Sequence, residues 1–453
     1  MALDTSGHPT HQPAAKEAAI QAAETVADRA ADQVANEISD EKGAETATTA
    51  VSPAIGGPSN TLDNFVGPHD FKEKDFRERV SLTEYAKLGA ILGTLPPIVV
   101  ADVARRSLRK IGNPRSFSIR EAAFDSAATH IASRCNWPQL RRLCPVRPLR
   151  VELKLAHFQN LHNYNHYFGG DSYSARWLVE KPNRQPEDPV LLYMHGGSYA
   201  LKIQRPQLSY LVKLHKELLP LDVSILLLDY TIAPHARFPT QLDEGMACYN
   251  ELRKSCNNVI FYGDSAGGHL ALTMLMSGAR CENLVLVSPS VDMTSGHRDD
   301  NIMREVFVDD STHRYDDPLI SPLFADPQLW PKLLPSNTTI VWGGAEPCKQ
   351  QMIEFAKVAN IEAKFEEPGG SHDCILRGNS NPGSRFILDY MRRTLLPESV
   401  IESSPFSSKS SSRTPSIVDP RRSRSMNDVS QPDESGKVRR RSSILSLWRN
   451  SKI

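Results

Sequence analysis

Short apolar runs alternate with amphipathic segments through the second half of the chain. The runs are rich in Val, Ile and Leu and lack alternating polar residues, which is typical of strands buried on both faces. The segments between them repeat apolar residues at helical spacing. This order predicts an α/β fold with a mostly parallel sheet covered by helices on both faces. The predicted strands are Val190–Met194, Val223–Leu228, Val259–Tyr262, Leu284–Val287, Thr339–Trp342 and Ala363–Glu366, and the predicted helices span 206–218, 239–254, 266–278, 348–359 and 383–395.

The two ends of the chain differ from this middle part in composition. Residues 1–60 carry nine acidic and three basic residues, whereas 401–453 carry eleven basic and five acidic residues. Both ends are poor in aromatic residues, so they cannot bury enough apolar surface to offset the entropy of ordering. We therefore expect disordered tails around a folded unit. The expected boundaries are 1–74 for an acidic tail, 75–150 for a helical cap or membrane-proximal segment, 151–398 for the α/β domain and 399–453 for a basic Ser/Arg-rich tail.

One apolar segment, Leu88–Ala101, lies in the expected cap. It is short for a membrane span and contains Pro96 and Pro97, which interrupt the helical pattern. We therefore expect a buried or interfacial segment. Two alternatives stay open, namely membrane contact through 84–104 and a helix pair packed beneath a cap.

The overall composition excludes several classes of protein. The chain has 53 Lys+Arg and 53 Asp+Glu, which argues against a generally basic nucleic-acid-binding protein. Its seven cysteines are sparse and never spaced as CxxC, which excludes a disulfide scaffold and a Cys-type zinc site. Free thiols and the lack of an apolar leader predict an intracellular location, in the cytoplasm or at the endoplasmic reticulum membrane.

The strongest chemical signal is a nucleophile elbow at Gly263–Gly267, which reads GDSAG. It follows a predicted strand and opens a predicted helix, the context that a GxSxG motif requires. Such a turn is tight, so glycine is needed on both sides of the nucleophile. The sequence predicts that Ser265 is a catalytic nucleophile at the carboxyl end of its strand.

A second motif, HGGSY, follows the strand Val190–Met194. Acyl transfer develops negative charge on a carbonyl oxygen, and small residues let backbone N–H donors approach that oxygen. We assign the donors of this oxyanion hole to Gly196, Gly197 and Ala266. His195 is interpreted as a residue that organises the loop.

These motifs, with DYTIAP at Asp229–Pro234, Phe238–Pro239 and the longer string GDSAGGHLAL, resemble the hormone-sensitive-lipase-like group of the α/β-hydrolases. Within that group the chain is most similar to the fungal steryl acetyl hydrolases and the arylacetamide-deacetylase-type esterases. The resemblance covers roughly 150–397 and implies the α/β-hydrolase fold, with 75–150 as the variable cap. The family usually has a third glycine where this chain has Ser198, and the extra hydroxyl would narrow the acyl site.

A nucleophilic serine needs a base, and the base needs an acid that orients it. In this fold the chain order is serine, acid, histidine, which selects His372 after the last predicted strand. Glu346 follows the strand Thr339–Trp342 at the place where the family has its acid, and is the expected partner. Asp317 is the alternative acid, although it precedes a strand, and a turn-initiating role before Pro318 would also explain it.

The sequence therefore predicts a serine hydrolase that cleaves a small hydrophobic or acetylated ester and needs no metal or organic cofactor. A steryl acetate is implied by resemblance alone. Two alternatives remain, an amidase or arylformamidase with the same triad and a non-catalytic ligand-binding protein of the same fold. No nucleic-acid partner is expected, whereas the basic tail could contact an anionic membrane or be regulated by a kinase at Ser443.

Overall fold

The computed structural model describes residues 80–109, 119–144, 146–158, 160–295, 298–377 and 381–395. The described residues belong to one compact unit of the chain. The tails expected over 1–74 and 399–453, including Ser443, lie outside the described residues.

A single eight-stranded sheet, in the order β1-β2-β4-β3-β5-β6-β7-β8, forms the centre of the fold. The first two strands form an antiparallel hairpin, and β2 pairs antiparallel with β4. All pairs from β4 onward are parallel. The strands are β1 Tyr167–Gly170, β2 Tyr173–Val179, β3 Val190–Met194, β4 Ser224–Leu228, β5 Val259–Asp264, β6 Asn283–Val287, β7 Asn337–Gly343 and β8 Ala363–Glu367.

Helices cover both faces of this sheet. Successive side chains of a strand point to opposite faces, so each strand contributes to two cores. In β3, Leu192 packs into one hydrophobic cluster and Leu191 into the other. The helices are α1 Leu82–Arg109, α2 Ile119–Ala132, α3 Trp137–Leu143, α4 Leu149–Ala156, α5 Arg205–Glu217, α6 Thr240–Arg253, α7 Ala266–Met276, α8 Arg298–Val306, α9 Trp330–Leu333, α10 Lys349–Val358, α11 Cys374–Arg377 and α12 Pro382–Leu395.

The α/β-hydrolase architecture predicted from the motifs is confirmed. Each of the six predicted strands is present, with ends within two residues of the prediction, and the five predicted helices are present as α5, α6, α7, α10 and α12. The hairpin β1–β2 was not predicted. Its first strand is only half-buried and reads YFGG, so it lacks the buried apolar run that marks the other strands.

The interruption predicted at Pro96 and Pro97 is wrong, because α1 continues through both prolines. Helix α2 packs beside this stretch, and the His130 ring contacts the Thr94 hydroxyl at 3.1 Å and the Ile91 carbonyl at 3.2 Å. These contacts join α1 and α2 about one turn before the prolines. Within the described residues, Leu82–Ser107 is the one helix long and apolar enough to cross a membrane, and only 6% of its most apolar stretch is buried.

Helix α3 joins the N-terminal helices to the loops at the carboxyl edge of the sheet. The buried Arg141 side chain donates hydrogen bonds to the carbonyl oxygens of Ala200, at 2.9 Å, and Ala233. Its guanidinium also lies 4.8 Å from the centre of the Trp137 ring. Ala200 follows β3 and Ala233 follows β4, so one side chain holds two loops next to each other.

The turn between β5 and α7 lies directly against the backbone of β3. A Cβ built on Gly267 would be 1.8 Å from the Met194 carbonyl oxygen, which is far inside any allowed contact. On the other side of the turn, a Cβ on Gly263 would be 2.3 Å from the Gly267 carbonyl oxygen. Only glycine lets the chain reverse at this point of the sheet.

We expect Gly267→Ala to lower the free energy of unfolding by about 1–3 kcal/mol or more, because backbone must move to make room for the methyl group. Gly93→Ala in α1 is the matched control, since a Cβ there meets nothing within 4 Å. The control should be neutral or raise stability by roughly 0.5–1 kcal/mol through helix propensity. Denaturant unfolding of both variants measures the difference. Equal stability of Gly267→Ala and the unchanged chain would contradict the close approach.

Candidate active site

Ser265 occupies a strained position between β5 and α7. Its backbone has φ 50° and ψ −115°, a region that residues with a side chain rarely adopt. The Ser265 N–H donates to the Val287 carbonyl at 2.9 Å, and the Ser265 carbonyl accepts the His269 N–H at 3.1 Å. These bonds fix the turn so that the hydroxyl projects from the sheet edge, where the N-terminal end of α7 lies beneath it.

The structure brings the three predicted triad residues together. The Ser265 hydroxyl lies 2.9 Å from His372 Nε2, and the Glu346 carboxylate lies 2.7 Å from His372 Nδ1. The three residues lie in the loops after β5, β7 and β8, and these loops meet at one edge of the sheet. With Nδ1–H donating to the carboxylate, Nε2 of the unprotonated ring can accept the serine proton, so this form of the site can generate an alkoxide-like nucleophile.

Other donors hold the Glu346 carboxylate in place. Its Oε1 accepts a hydrogen bond from the Ser288 hydroxyl at 2.6 Å and from the Gly343 N–H at 2.5 Å. Burial alone would raise the pKa of Glu346, but the charge of His372 and these hydrogen bonds lower it below its ordinary value. The carboxylate therefore stays ionised beside the imidazole ring.

A second carboxylate, that of Asp373, also lies near the imidazole. One Asp373 oxygen is 3.5 Å from His372 Nε2, the atom that faces Ser265. Burial would lower the pKa of His372, but the negative charges of Asp373 and Glu346 raise it well above its ordinary value. Asp373 follows His372 directly in sequence, and that adjacency alone gave no indication that its carboxylate would turn toward the ring.

The predicted oxyanion donors belong to the loop after β3 and to the first residue of α7. Gly196 lies too close to Asp264 and Ser265 for any side chain, since a Cβ built on it would be 2.5 Å from an Asp264 carboxylate oxygen. Within the part of the chain that the structure describes, the N–H groups of Gly197 and Ala266 make no backbone hydrogen bond. Gly196, Gly197 and Ala266 stay the predicted donors for a developing negative charge.

Asp264 directly precedes Ser265, but its side chain makes its contacts on the opposite side of the turn. Its fully buried carboxylate accepts hydrogen bonds from the Tyr193 hydroxyl at 2.5 Å and the Gln207 amide at 2.9 Å. Burial raises its pKa above the ordinary value. These bonds tie the elbow to β3 and to α5.

Two buried histidines near the site are held by hydrogen bonds to neighbouring groups. The Nδ1–H of His195 donates to the Gly196 carbonyl at 2.7 Å, and its ring stacks on Tyr230 at 4.2 Å. His269 donates from Nε2 to the Ile320 carbonyl at 3.0 Å and contacts the Tyr199 hydroxyl at 2.8 Å through Nδ1. Burial lowers the pKa of each ring to about 4, so both rings are uncharged near pH 7.

The alternative acid, Asp317, lies in a turn. Its carboxylate accepts the Leu319 N–H at 2.8 Å, and its carbonyl accepts the Ser321 N–H at 2.7 Å. This is the turn-initiating role considered for an aspartate before proline. Glu346 has the contact with His372 that the alternative would have required.

Comparisons with known proteins agree with the motifs. Residues 156–311 match the family model for steryl acetyl hydrolase. The resemblance inferred from the sequence is confirmed. Steryl acetyl hydrolase 1 of Saccharomyces cerevisiae is 31% identical over 122 residues, which is 24% of this chain and 28% of the yeast protein. Mouse hormone-sensitive lipase is 31% identical over 110 residues, 22% of this chain and 14% of that protein.

The chain therefore matches less than a third of the length of either relative. Among solved structures, an esterase/lipase from an uncultured bacterium aligns with 20% sequence identity and a TM-score of 0.46. That alignment covers 66% of this chain and 99% of the bacterial one.

We expect Asp373→Asn to lower the pKa of His372, because the substitution removes a negative charge that favours the protonated ring. NMR titration of the His372 ring measures the change. Asp171→Asn, at an exposed aspartate in the turn between β1 and β2, is the matched control and should leave the titration unchanged. A higher or unaltered pKa in Asp373→Asn would contradict the assigned influence of this carboxylate.

Proposed function

We propose that the chain is a serine ester hydrolase in which Ser265, His372 and Glu346 form the catalytic triad. One observation carries the proposal, the continuous hydrogen-bonded path from the Ser265 hydroxyl through both ring nitrogens of His372 to the Glu346 carboxylate. The steryl acetyl hydrolase family match supports the same chemistry. An ester of a small acyl group is the substrate class, and an acetylated hydrophobic alcohol such as a steryl acetate is the first candidate.

The reaction proceeds in two steps. His372 Nε2 takes the Ser265 proton as the serine oxygen attacks the ester carbonyl, and Glu346 stabilises the resulting imidazolium. The N–H groups of Gly196, Gly197 and Ala266 receive the oxyanion. His372 then protonates the leaving alcohol, which leaves an acyl group on Ser265. Water deprotonated by His372 attacks that acyl group, releases the acid and restores the serine.

We expect Ser265→Ala to lower kcat for a p-nitrophenyl acetate substrate by roughly 10³-fold or more, because the nucleophile is removed. The measurement is release of p-nitrophenol by the full chain. Ser290→Ala, at a serine on the neighbouring loop, is the control and should keep most of the activity. Its N–H bonds to the Ser265 carbonyl, and that bond does not depend on a side chain.

The competing functions give different results in parallel assays. A non-catalytic binding protein would show no ester turnover and no labelling of Ser265 by a fluorophosphonate. An amidase or arylformamidase would also turn over the matched amide, which the proposed esterase would leave uncleaved. Turnover of acetyl esters that falls as the acyl chain lengthens supports the proposed substrate class. Unchanged activity in Ser265→Ala would overturn the mechanism.

We also propose that the 84–104 region contacts a membrane surface through one face of α1. The exposed apolar side chains Leu82, Tyr85, Leu92 and Val100 are spaced by three, seven and eight residues, which puts them on one side of the helix. Val100 is 69% exposed, and nothing described in the structure covers it. An interfacial helix of this kind would hold the enzyme near hydrophobic esters, at the endoplasmic reticulum or another intracellular membrane.

We expect the double substitution Leu92→Asp and Val100→Asp to reduce co-sedimentation of the full chain with phosphatidylcholine–phosphatidylserine vesicles several-fold. The charges would have to enter the lipid boundary, which is unfavourable. Leu329→Asp, at an exposed leucine of the sheet domain, is the matched control. Equal sedimentation of the double variant and the control would contradict the proposed surface. Contact through the basic tail and kinase regulation at Ser443 fall outside the described residues and stay predictions.

A further inference from the structure

Cys348 lies beside the triad, although the proposed mechanism does not use it. Its sulfur is 3.7 Å from Glu346 Oε2, the same oxygen that contacts His372 Nδ1. The thiol, the carboxylate and the imidazole offer three ligand atoms, all within 4.8 Å of one another. Cys348 and His372 are half-buried, whereas Glu346 is buried. The cluster is therefore open on one side.

The three ligand types suit a borderline or soft divalent cation. Zinc binds thiolate sulfur at about 2.3 Å and imidazole nitrogen or carboxylate oxygen at about 2.0–2.2 Å, so ligands around one ion lie roughly 3–4 Å apart. The distance of 3.7 Å between the Cys348 sulfur and Glu346 Oε2 is already in this range. The distance of 2.7 Å between Glu346 and His372 would have to widen as an ion enters.

We propose that Cys348, Glu346 and His372 form a binding site for Zn²⁺ that switches off the triad. The ion takes the thiolate of Cys348, the Nδ1 lone pair of His372 and an oxygen of Glu346, and leaves a fourth position for water. The thiol proton goes to solvent. The ring proton moves from Nδ1 to Nε2, and no electron is transferred.

Inhibition follows from that change of tautomer. In the free site, Nε2 accepts the hydrogen bond from Ser265 and can take its proton. With Nδ1 bound to the ion, Nε2 carries the proton, so the ring is no longer a base toward Ser265. The inhibition rests on the proposed hydrolase function, whereas the binding site itself does not.

The first experiment measures binding without enzyme activity. Titration of the full chain with Cd²⁺, as a spectroscopic substitute for Zn²⁺, should produce a thiolate-to-metal charge-transfer absorption with one equivalent bound. Cys348→Ser should remove that absorption and weaken Zn²⁺ affinity by at least roughly tenfold. Cys144→Ser, at another half-buried cysteine, should change neither. An unchanged signal in Cys348→Ser would overturn the site.

The second experiment measures p-nitrophenyl acetate hydrolysis with increasing Zn²⁺, each variant normalised to its own rate without metal. Inhibition that is reversed by EDTA, absent with Mg²⁺ and at least roughly tenfold weaker in Cys348→Ser supports the proposal. Equal zinc sensitivity in Cys348→Ser and Cys144→Ser would overturn it. Cysteine-dependent metal binding in a chain without hydrolysis would retain the site and contradict the proposed function instead.

Discussion

The contact between the turn at Ser265 and the backbone of β3 is the constraint on which the rest of the site depends. Gly267 lies so close to the Met194 carbonyl that the turn cannot move toward β3 or tolerate a side chain there. Ser265 has its positive-φ conformation in this same turn, beside the loop that follows Met194. The nucleophile and the free N–H donors are therefore adjacent because of packing in the sheet, before any substrate binds.

Hydrogen bonds also fix the carboxylate of Glu346 at the buried side of the triad. One Glu346 oxygen accepts from Ser288 and Gly343, and the other faces His372. The glutamate therefore presents one defined oxygen to the ring. The neutral rings of His195 and His269 lie near the site without adding charge to it.

Much of this could be predicted from the sequence because the signals are local. The strand at Val259–Asp264, the elbow and the following helix are contiguous, and each has its own pattern of residues. The half-buried strand β1 lacks such a pattern, and local rules disfavour prolines in the interior of a helix, where α1 nevertheless has two.

The remaining differences concern contacts between distant residues. Gly196 packs against Asp264, which lies far along the chain, so neither motif alone reveals this contact. Ser288 could not be recognised as a partner of Glu346, because no motif surrounds it. Likewise, Cys348 looked like one of several scattered thiols until the loop after β7 brought it beside Glu346 and His372.

Arg141 links the N-terminal helices to the loops beside the catalytic residues. This residue lies in α3, yet its guanidinium donates hydrogen bonds to the loops after β3 and β4. The loop after β3 also contains the predicted oxyanion donors Gly196 and Gly197. A displacement of α3 would strain these two hydrogen bonds, and a molecule that moves the loops would act on α3 through the same side chain.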